Sequence, residues 1–281
     1  MTYIKLSNGI KMPQLGIGTF LVKDDTAYQT ILEALRIGYR HIDTAQGYDN
    51  ESEIGRAIKD SGIPREEIFI TTKLSARNLG YKEALQELEK SLEKLQTNYV
   101  DLYIIHWPSP SISLNQETWR GMEVCYQMGL AKAIGVSNYQ RHHLQDIFEV
   151  ASIRPMVNQI EMHPGLQQHP MKEYLDKNSI HLIGYAPFMK GEVFNKESMY
   201  YETLLEIANK YNKTIAQIII AWGLSRGIFM IPKSVTPQRI KENFEAKDIV
   251  LDLEDIKRIN ALNRGRRVYT DPDNCWFVKQ K

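Results

Sequence analysis

Short apolar runs alternate with amphipathic stretches along almost the whole chain. Ile4–Leu6 and Ile10–Met12 flank Asn8-Gly9, a pairing that favours a tight turn, so a small hairpin is expected at the start. Eight extended runs follow: Leu15–Thr19, His41–Asp43, Ile68–Lys73, Val100–Ile105, Ala131–Val136, Met156–Ile160, His181–Tyr185 and Ile228–Ile231. Their continuous β-branched and aliphatic character suits strands buried on both faces. Helix-period segments separate them. These are Asp24 or Asp25 (as cap) to Ile37 with Gly38 as stop, Glu51–Asp60, Tyr81–Leu95, Gln116–Met128, His142–Ala151, Met171–Asn178, Tyr201–Tyr211, Ala216–Ser225, Pro237–Phe244 and Leu253–Leu262.

Eight strands, each followed by helix, predict an α/β protein of the (β/α)8 TIM-barrel class, with a short N-terminal β-hairpin and extra C-terminal helices. A doubly wound sheet would carry a Gly-rich first turn. Here Gly16-Ile17-Gly18-Thr19-Phe20-Leu21 offers two glycines and then leucine, so G-x-G-x-x-G fails. No linker or low-complexity tract interrupts the pattern, and one domain over residues 1–281 is expected.

Barrels of this kind place chemistry at the C-terminal ends of the strands. The polar residues there are Asp43, Lys73 and His106 after strands two to four, Ser137 and Asn138 after five, Gln159 and Glu161 at six, Tyr185 at seven, and Lys233 and Ser234 after eight. A buried Asp43 needs a cation, because an unpaired buried charge is very costly. Lys73, on the neighbouring strand, is that partner. Its ammonium can also approach Tyr48 on the loop after Asp43, and a nearby cation favours phenolate, which would make Tyr48 a usable proton donor near neutral pH. His106 can orient a substrate oxygen. Such a set suits carbonyl reduction, with hydride from a cofactor, since no side chain supplies it.

Singly, each residue has a plainer reading. Asp43–Lys73 is then a structural ion pair, Tyr48 a packing residue and His106 a core histidine beside Trp107-Pro108. All four on three adjacent strand ends are harder to explain that way. A second cluster lies in Ile231–Asn243, where Thr236 is a good helix N-cap and Pro237 a good first helical residue. Free N–H groups with Lys233, Ser234 and Arg239 suit a phosphate, and Lys plus Arg point to the 2′-phosphate of NADP. The competing reading is a solvated basic helix start. Tyr185 offers a flat ring for a nicotinamide, and Ser137, Asn138 and Gln159 can hold its carboxamide; taken singly, each reads equally well as a strand-end hydrogen bond.

Composition narrows the setting. Hydrophobic residues make up 43% and charged residues 25%, and 35 Lys+Arg balance 34 Asp+Glu. That balance argues against nucleic acid or a polybasic membrane surface as partner. The two cysteines, Cys125 and Cys275, make no disulfide framework. Ile218–Leu224, the most apolar run, is too short to span a bilayer. A cytoplasmic protein is expected. The histidines lack metal spacing such as H-E-x-x-H, and no metal is assigned.

The motifs resemble those of the aldo-keto reductases over the full length. The matching runs are G-I-G-T-F at Gly16, H-I-D-T-A-Q-G-Y-D-N-E at His41, I-T-T-K-L at Ile70, D-L-Y-I-I-H-W-P at Asp101, G-V-S-N-Y at Gly135, N-Q-I-E-M-H-P at Asn158, G-Y-A-P-F at Gly184 and I-P-K-S-V-T-P-Q-R-I-K-E-N at Ile231. The resemblance implies an NADPH-dependent reductase of aldehydes and ketones, commonly monomeric, with Tyr48 as proton donor, Asp43 and Lys73 as its tuning pair and His106 as substrate orienter. Histidine rather than glutamate at that fourth position points to carbonyl chemistry. Cofactor roles fall on Gly18, Thr19, Asp43, Ser137, Asn138, Gln159, Tyr185, Pro187, Phe188, Lys233, Ser234, Val235, Arg239 and Asn243.

Phe20, Tyr48, His106 and Trp107 are then expected to line the substrate pocket, with Trp276 or Phe277 from the brief tail Val268–Lys281 as its closure. The short loops are similar to the compact bacterial branch with 2,5-diketo-D-gluconate reductases and methylglyoxal-active enzymes. Two rival readings are an NADPH-binding regulatory subunit with negligible turnover and a lyase using Lys73 as a Schiff base. The ion-paired lysine opposes the second, because it stays protonated.

Overall fold

The computed structural model describes residues 2–279; Met1, Gln280 and Lys281, included above in the domain and tail, lie outside the described residues. Two short strands, β1 (Tyr3–Lys5) and β2 (Lys11–Pro13), pair antiparallel in the expected hairpin. They start and end one residue off the expected bounds, because Leu6 and Ile10 close the turn by a backbone hydrogen bond. The barrel strands are β3 (Ile17–Gly18), β4 (His41–Asp43), β5 (Phe69–Leu74), β6 (Leu102–Ile105), β7 (Ile134–Ser137), β8 (Val157–Glu161), β9 (His181–Tyr185) and β10 (Phe229–Met230). Each is parallel to the next in chain order. Gly16 N–H donates to Met230 O at 2.9 Å, and Met230 N–H to Gln14 O at 2.9 Å, joining last strand to first. The fold is a (β/α)8 barrel.

Helices α1 (Asp24–Ile37), α2 (Glu51–Asp60), α3 (Tyr81–Leu95), α4 (Ile112–Gln127), α5 (Arg141–Phe148), α6 (His169–Lys177), α7 (Tyr201–Tyr211), α8 (Ile215–Ser225), α9 (Pro237–Glu245) and α10 (Leu253–Asn260) surround it. Some ends differ from expectation. Lys23, not an aspartate, is the N-cap of α1; Asp24 and Asp25 lie in its first turn, where they meet the positive end of the helix dipole. Helix α4 starts four residues early because the Ser111 hydroxyl accepts the Leu114 N–H. Helix α5 starts at Arg141 and stops at Phe148, three residues short of Ala151.

The hairpin sits across the N-terminal end of the barrel. Asn8 Nδ2 donates to Lys132 O before β7, His181 at the start of β9 meets Lys5 O, and Gln14 Nε2 donates to Leu224 O and Ile228 O before β10. The chemistry-bearing residues are left at the other end. Strand register shows why they converge. Gly18 pairs with Asp43, Lys73 with Ile104, Ile104 with Gly135, Ser137 with Gln159, Gln159 with Ile183 and Glu161 with Tyr185. Partners in register face the same side, and the side-chain period is two. Gly18, Asp43, Lys73, Ser137, Gln159, Glu161 and Tyr185 therefore share the inward face, and His106, two past Ile104, joins them.

Two consequences can be measured. A Cβ on Gly55 of α2 would stand 2.6 Å from the Leu95 backbone at the end of α3. Backbone cannot give as a side-chain tip can, so Gly55→Ala is expected to lose about 1–3 kcal/mol in urea unfolding despite alanine's better helix propensity. Burial also pushes the His41 imidazole from 6.5 down to about 4. Between those values the unfolded chain takes up a proton that the native state refuses, so native stability is full above about 6.5 and falls as pH drops toward about 4. The expected slope is about 1.4 kcal/mol per pH unit for this group. His41→Leu should flatten the pH dependence of the urea midpoint across that window.

Candidate active site

Lys73 is fully buried at the barrel mouth. Its Nζ donates to Asp43 Oδ1 at 2.5 Å and to Thr44 O at 2.8 Å, and lies 3.5 Å from the Tyr48 hydroxyl. The second carboxylate oxygen of Asp43 accepts Gln159 Nε2 at 2.6 Å, from the opposite side of the barrel. Tyr48 sits in a short 3-10 turn, Gln46–Tyr48, fastened on both sides. Gln46 accepts the Ser75 N–H and donates to Glu87 O, while Asn50 accepts the Thr44 hydroxyl and donates to Thr19 O and Val22 O. The Tyr48 ring meets His106 edge to face at 5.6 Å and Phe20 at 5.1 Å.

Burial lowers the Lys73 ammonium below its ordinary range, and the charge of Asp43 opposes this. Burial and Lys73 push His106 down to about 3, so its imidazole is neutral at neutral pH and has one N–H to give. Tyr48 corrects the expectation drawn above. Burial first, then Asp43 and Tyr269, hold its phenol well above the ordinary value. The carboxylate offsets the ammonium, and Tyr48 stays a neutral phenol with its proton on.

Ser137, Asn138, Gln159 and Tyr185 form one connected set beside this group. Ser137 Oγ donates to Gln159 O at 2.8 Å. Asn138 Nδ2 donates to His106 O at 3.0 Å and to Ser137 Oγ at 3.2 Å, and Asn138 Oδ1 accepts the Tyr185 hydroxyl at 2.7 Å. Pro187 is buried just beyond, and Phe188 is half-buried against Phe194. The second cluster lies at the β10 edge. A Cβ on Gly18 would stand 3.0 Å from Ile231 O and 3.8 Å from Lys233 Cβ, so the two strand ends touch here. Thr19 is buried and its hydroxyl donates to Asp43 O. Ser234 and Asn243 are buried; Lys233, Val235 and Arg239 are exposed. Thr236 is the N-cap residue of α9 and Pro237 its first, as expected, but the Thr236 side chain makes no capping bond. Among the described residues, no carboxylate pairs with Lys233 or Arg239.

A cleft of about 700 Å³ opens over Tyr48 and His106, with Phe20, Trp107 and Phe277 among its walls. Phe277 packs edge to face on Trp107 at 5.3 Å. Trp276 points away, 84% exposed, onto a separate groove. Of Trp276 and Phe277, only Phe277 lines the cleft. One further residue escaped sequence reasoning, and one strand-end residue named above gains a role only here. Tyr269 stands edge-on to Tyr185 at 5.7 Å, and Glu161 holds the chain that carries it.

Sequence spacing also could not foresee that His142, His143 and Asp273 meet, with ligand atoms all within 4.8 Å of one another. His143 Nδ1 accepts the Gln140 N–H, which fixes its proton on Nε2. That is the nitrogen facing the cluster, and a protonated nitrogen cannot ligate a metal. The cluster acts as a hydrogen-bonded contact between α5 and the tail.

Residues 12–264 match the family model described as Aldo/keto reductase family. The chain is 44% identical over 275 residues to glyoxal reductase of Bacillus subtilis, covering 98% of this chain and 97% of that one. It is 43% identical over 272 residues to methylglyoxal reductase DkgA of Escherichia coli, covering 97% of each. The fold superimposes on MGS-M4, an aldo-keto reductase from a Medee basin deep-sea metagenome library, with a TM-score of 0.94 and 48% identity over 98% of this chain and all of that one. A Gox0644 mutant in complex with NADPH aligns at a TM-score of 0.92 and 37% identity, covering 98% of this chain and 99% of that one. The chain belongs to the aldo/keto reductase family.

Proposed function

We propose that the protein reduces small aldehydes and ketones to alcohols with NADPH, with dicarbonyls of the methylglyoxal type foremost and keto-sugars and aromatic aldehydes within range. The observation that carries this reading is the Tyr48 phenol, still protonated, 3.5 Å from a buried ammonium and beside a neutral His106 at the floor of an open cleft. Relatives named glyoxal and methylglyoxal reductases along nearly the full length support the dicarbonyl choice.

The donor set fits the cofactor. Tyr185 presents a ring for the nicotinamide, and Ser137, Asn138 and Gln159 offer amide and hydroxyl partners for its carboxamide. Lys233 and Arg239, unpaired among the described residues, with Ser234 before α9 and Asn243 one turn beyond Arg239 on the helix, suit a phosphate. Gly18, Thr19, Val235, Pro187 and Phe188 are the remaining walls. Bound NADPH supplies the hydride to the carbonyl carbon. His106 donates its N–H to the carbonyl oxygen and fixes its direction. As negative charge grows on that oxygen it becomes the stronger base and takes the Tyr48 proton, and the Lys73 ammonium, 3.5 Å away, lies within reach of the phenolate left behind. The phenol thus keeps its proton at rest and yields it only to an oxygen made basic by the hydride. This reading takes the chain as one barrel unit working as a monomer in the cytoplasm.

NADPH oxidation followed at 340 nm with methylglyoxal, phenylglyoxal and 4-nitrobenzaldehyde tests it. Tyr48→Phe should cut kcat by about 10²–10⁴-fold while NADPH still binds; unchanged turnover would remove Tyr48 as donor. Tight NADPH binding without turnover of any carbonyl would sink the reductase reading in favour of a regulatory role. Arg239→Ala should weaken NADPH by roughly tenfold, about 1.4 kcal/mol, and leave NADH affinity unchanged. Equal loss for both cofactors would show that Arg239 does not meet the 2′-phosphate.

A further inference from the structure

Glu161 is a buried carboxylate at the barrel mouth that the proposed reaction does not use. It ends β8 on the inward face, two residues beyond Gln159, and is fully buried. Its Oε1 accepts His163 Nε2 at 2.8 Å and the Val268 N–H at 2.6 Å. Its Oε2 accepts the Tyr269 N–H at 3.2 Å, with Arg267 at 3.9 Å. His163 Nδ1 accepts the Leu166 N–H, which fixes the His163 proton on the nitrogen facing Glu161. Apart from His163, every group on this carboxylate comes from the C-terminal tail.

The loop after β8 holds the same stretch again, because Arg264 N–H and Arg266 N–H both donate to Gly165 O at 3.1 Å. From this anchor the tail crosses the mouth to the β5 side. There Lys279 N–H donates to Ala76 O and its Nζ to Leu79 O. Between the two anchors lie Tyr269, edge-on to Tyr185 with the Lys190 ammonium 4.2 Å from its ring centre, and Phe277 on Trp107. A backbone N–H pair on one buried carboxylate fixes both the position and the direction of the residue that follows. The Glu161 bonds to the Val268 and Tyr269 N–H groups are the ones that fix the backbone at Tyr269 itself.

We propose that Glu161 is a positioning residue: its carboxylate tethers the tail so that Tyr269 walls the space above Tyr185, and that wall selects small carbonyl substrates over bulky ones. The selection rests on the carbonyl-reductase reading above; the tether does not. His163 keeps the carboxylate turned toward the tail. Tyr269 acts by shape, so its ring matters and its hydroxyl does not.

The test uses the full chain with Glu161→Gln, Tyr269→Ala, Tyr269→Phe and the double variant Glu161→Gln/Tyr269→Ala. Two readouts are taken: kcat/KM with NADPH for methylglyoxal and for the diaryl diketone benzil, and the rate of tryptic cleavage after Arg267, followed by mass spectrometry. Tyr269→Ala should raise the benzil-to-methylglyoxal ratio by roughly tenfold or more, the usual scale for a pocket wall, and Tyr269→Phe should leave it at the wild-type value. Glu161→Gln should raise the ratio similarly and speed the cleavage. In the double variant the ratio should match Tyr269→Ala alone, since both changes remove one wall.

An unchanged ratio in Tyr269→Ala overturns the wall, and wild-type cleavage in Glu161→Gln overturns the tether. A ratio in the double variant equal to the product of the two single changes would also refute the proposal, since a general loosening adds and a shared wall does not. If Glu161→Gln does not fold, His163→Asn keeps the charge, removes one donor and is read the same way. Should the wild type reduce neither substrate, the carbonyl reading fails, and the cleavage rates still decide the tether.

Discussion

The buried contact between Lys73 and Asp43 is the constraint on which the rest of the site depends. A lone ammonium or carboxylate at this depth would cost several kcal/mol, and removing either partner of such a pair commonly costs about 3–5 kcal/mol. The pair persists because its remaining valences are filled. Thr44 O and the Tyr48 hydroxyl take up Lys73, and Gln159 takes the second oxygen of Asp43. Those partners lie on β5, β4, the loop after β4 and β8, so one electrostatic requirement fixes four segments of the barrel mouth against one another.

The same requirement settles the state of Tyr48. A cation alone beside a phenol would favour phenolate; a cation already bound to a carboxylate does not, and burial then keeps the phenol neutral. Chemistry that needs a proton donor is better served this way, since a tyrosinate has nothing to donate. The neutral His106 follows from the same source. A buried imidazole next to an ammonium cannot afford a second positive charge, and it is left able to donate a hydrogen bond without competing as an acid. Away from this neutral centre, Lys233 and Arg239 stand near the start of α9 with no carboxylate partner among the described residues. Compensated charge at the floor of the mouth thus contrasts with uncompensated positive charge at its edge.

Much of this was legible in the sequence because it rests on a local rule. Strand ends in a barrel face one mouth, and the alternation of side chains along a strand says which residues point in. Asp43, Lys73, His106, Ser137, Gln159 and Tyr185 could be placed by that rule alone. The state of Tyr48 could not, since it depends on how completely Asp43 balances Lys73. Helix starts failed where a side chain outside the apolar pattern decided them. Ser111 caps α4 with no periodic signal of its own, and Asp24 resembles a cap yet lies one residue inside α1. The tail was the least legible part. Val268, Tyr269 and Phe277 have no strand or helix to set their direction; the first two hang on the distant carboxylate of Glu161 and the third on the ring of Trp107.

That contrast bears on how such a site can change. The buried Asp43–Lys73 pair is built from strand ends, where moving one side chain disturbs the pair and the sheet that carries it. The tail touches the site through few anchors: the N–H groups on Glu161, the contact of Asp273 with His142 and His143, and the bonds of Lys279. Each anchor binds backbone or a terminal side-chain atom and makes no demand on the residues between them. Tyr269 and Phe277 can therefore vary in size without altering the Lys73–Asp43 pair. The buried charge pair and the tail are thus built by different means, one by strand ends that must match and one by a few anchors, of which the turn from Glu161 to His163 is the one on the barrel's inward face.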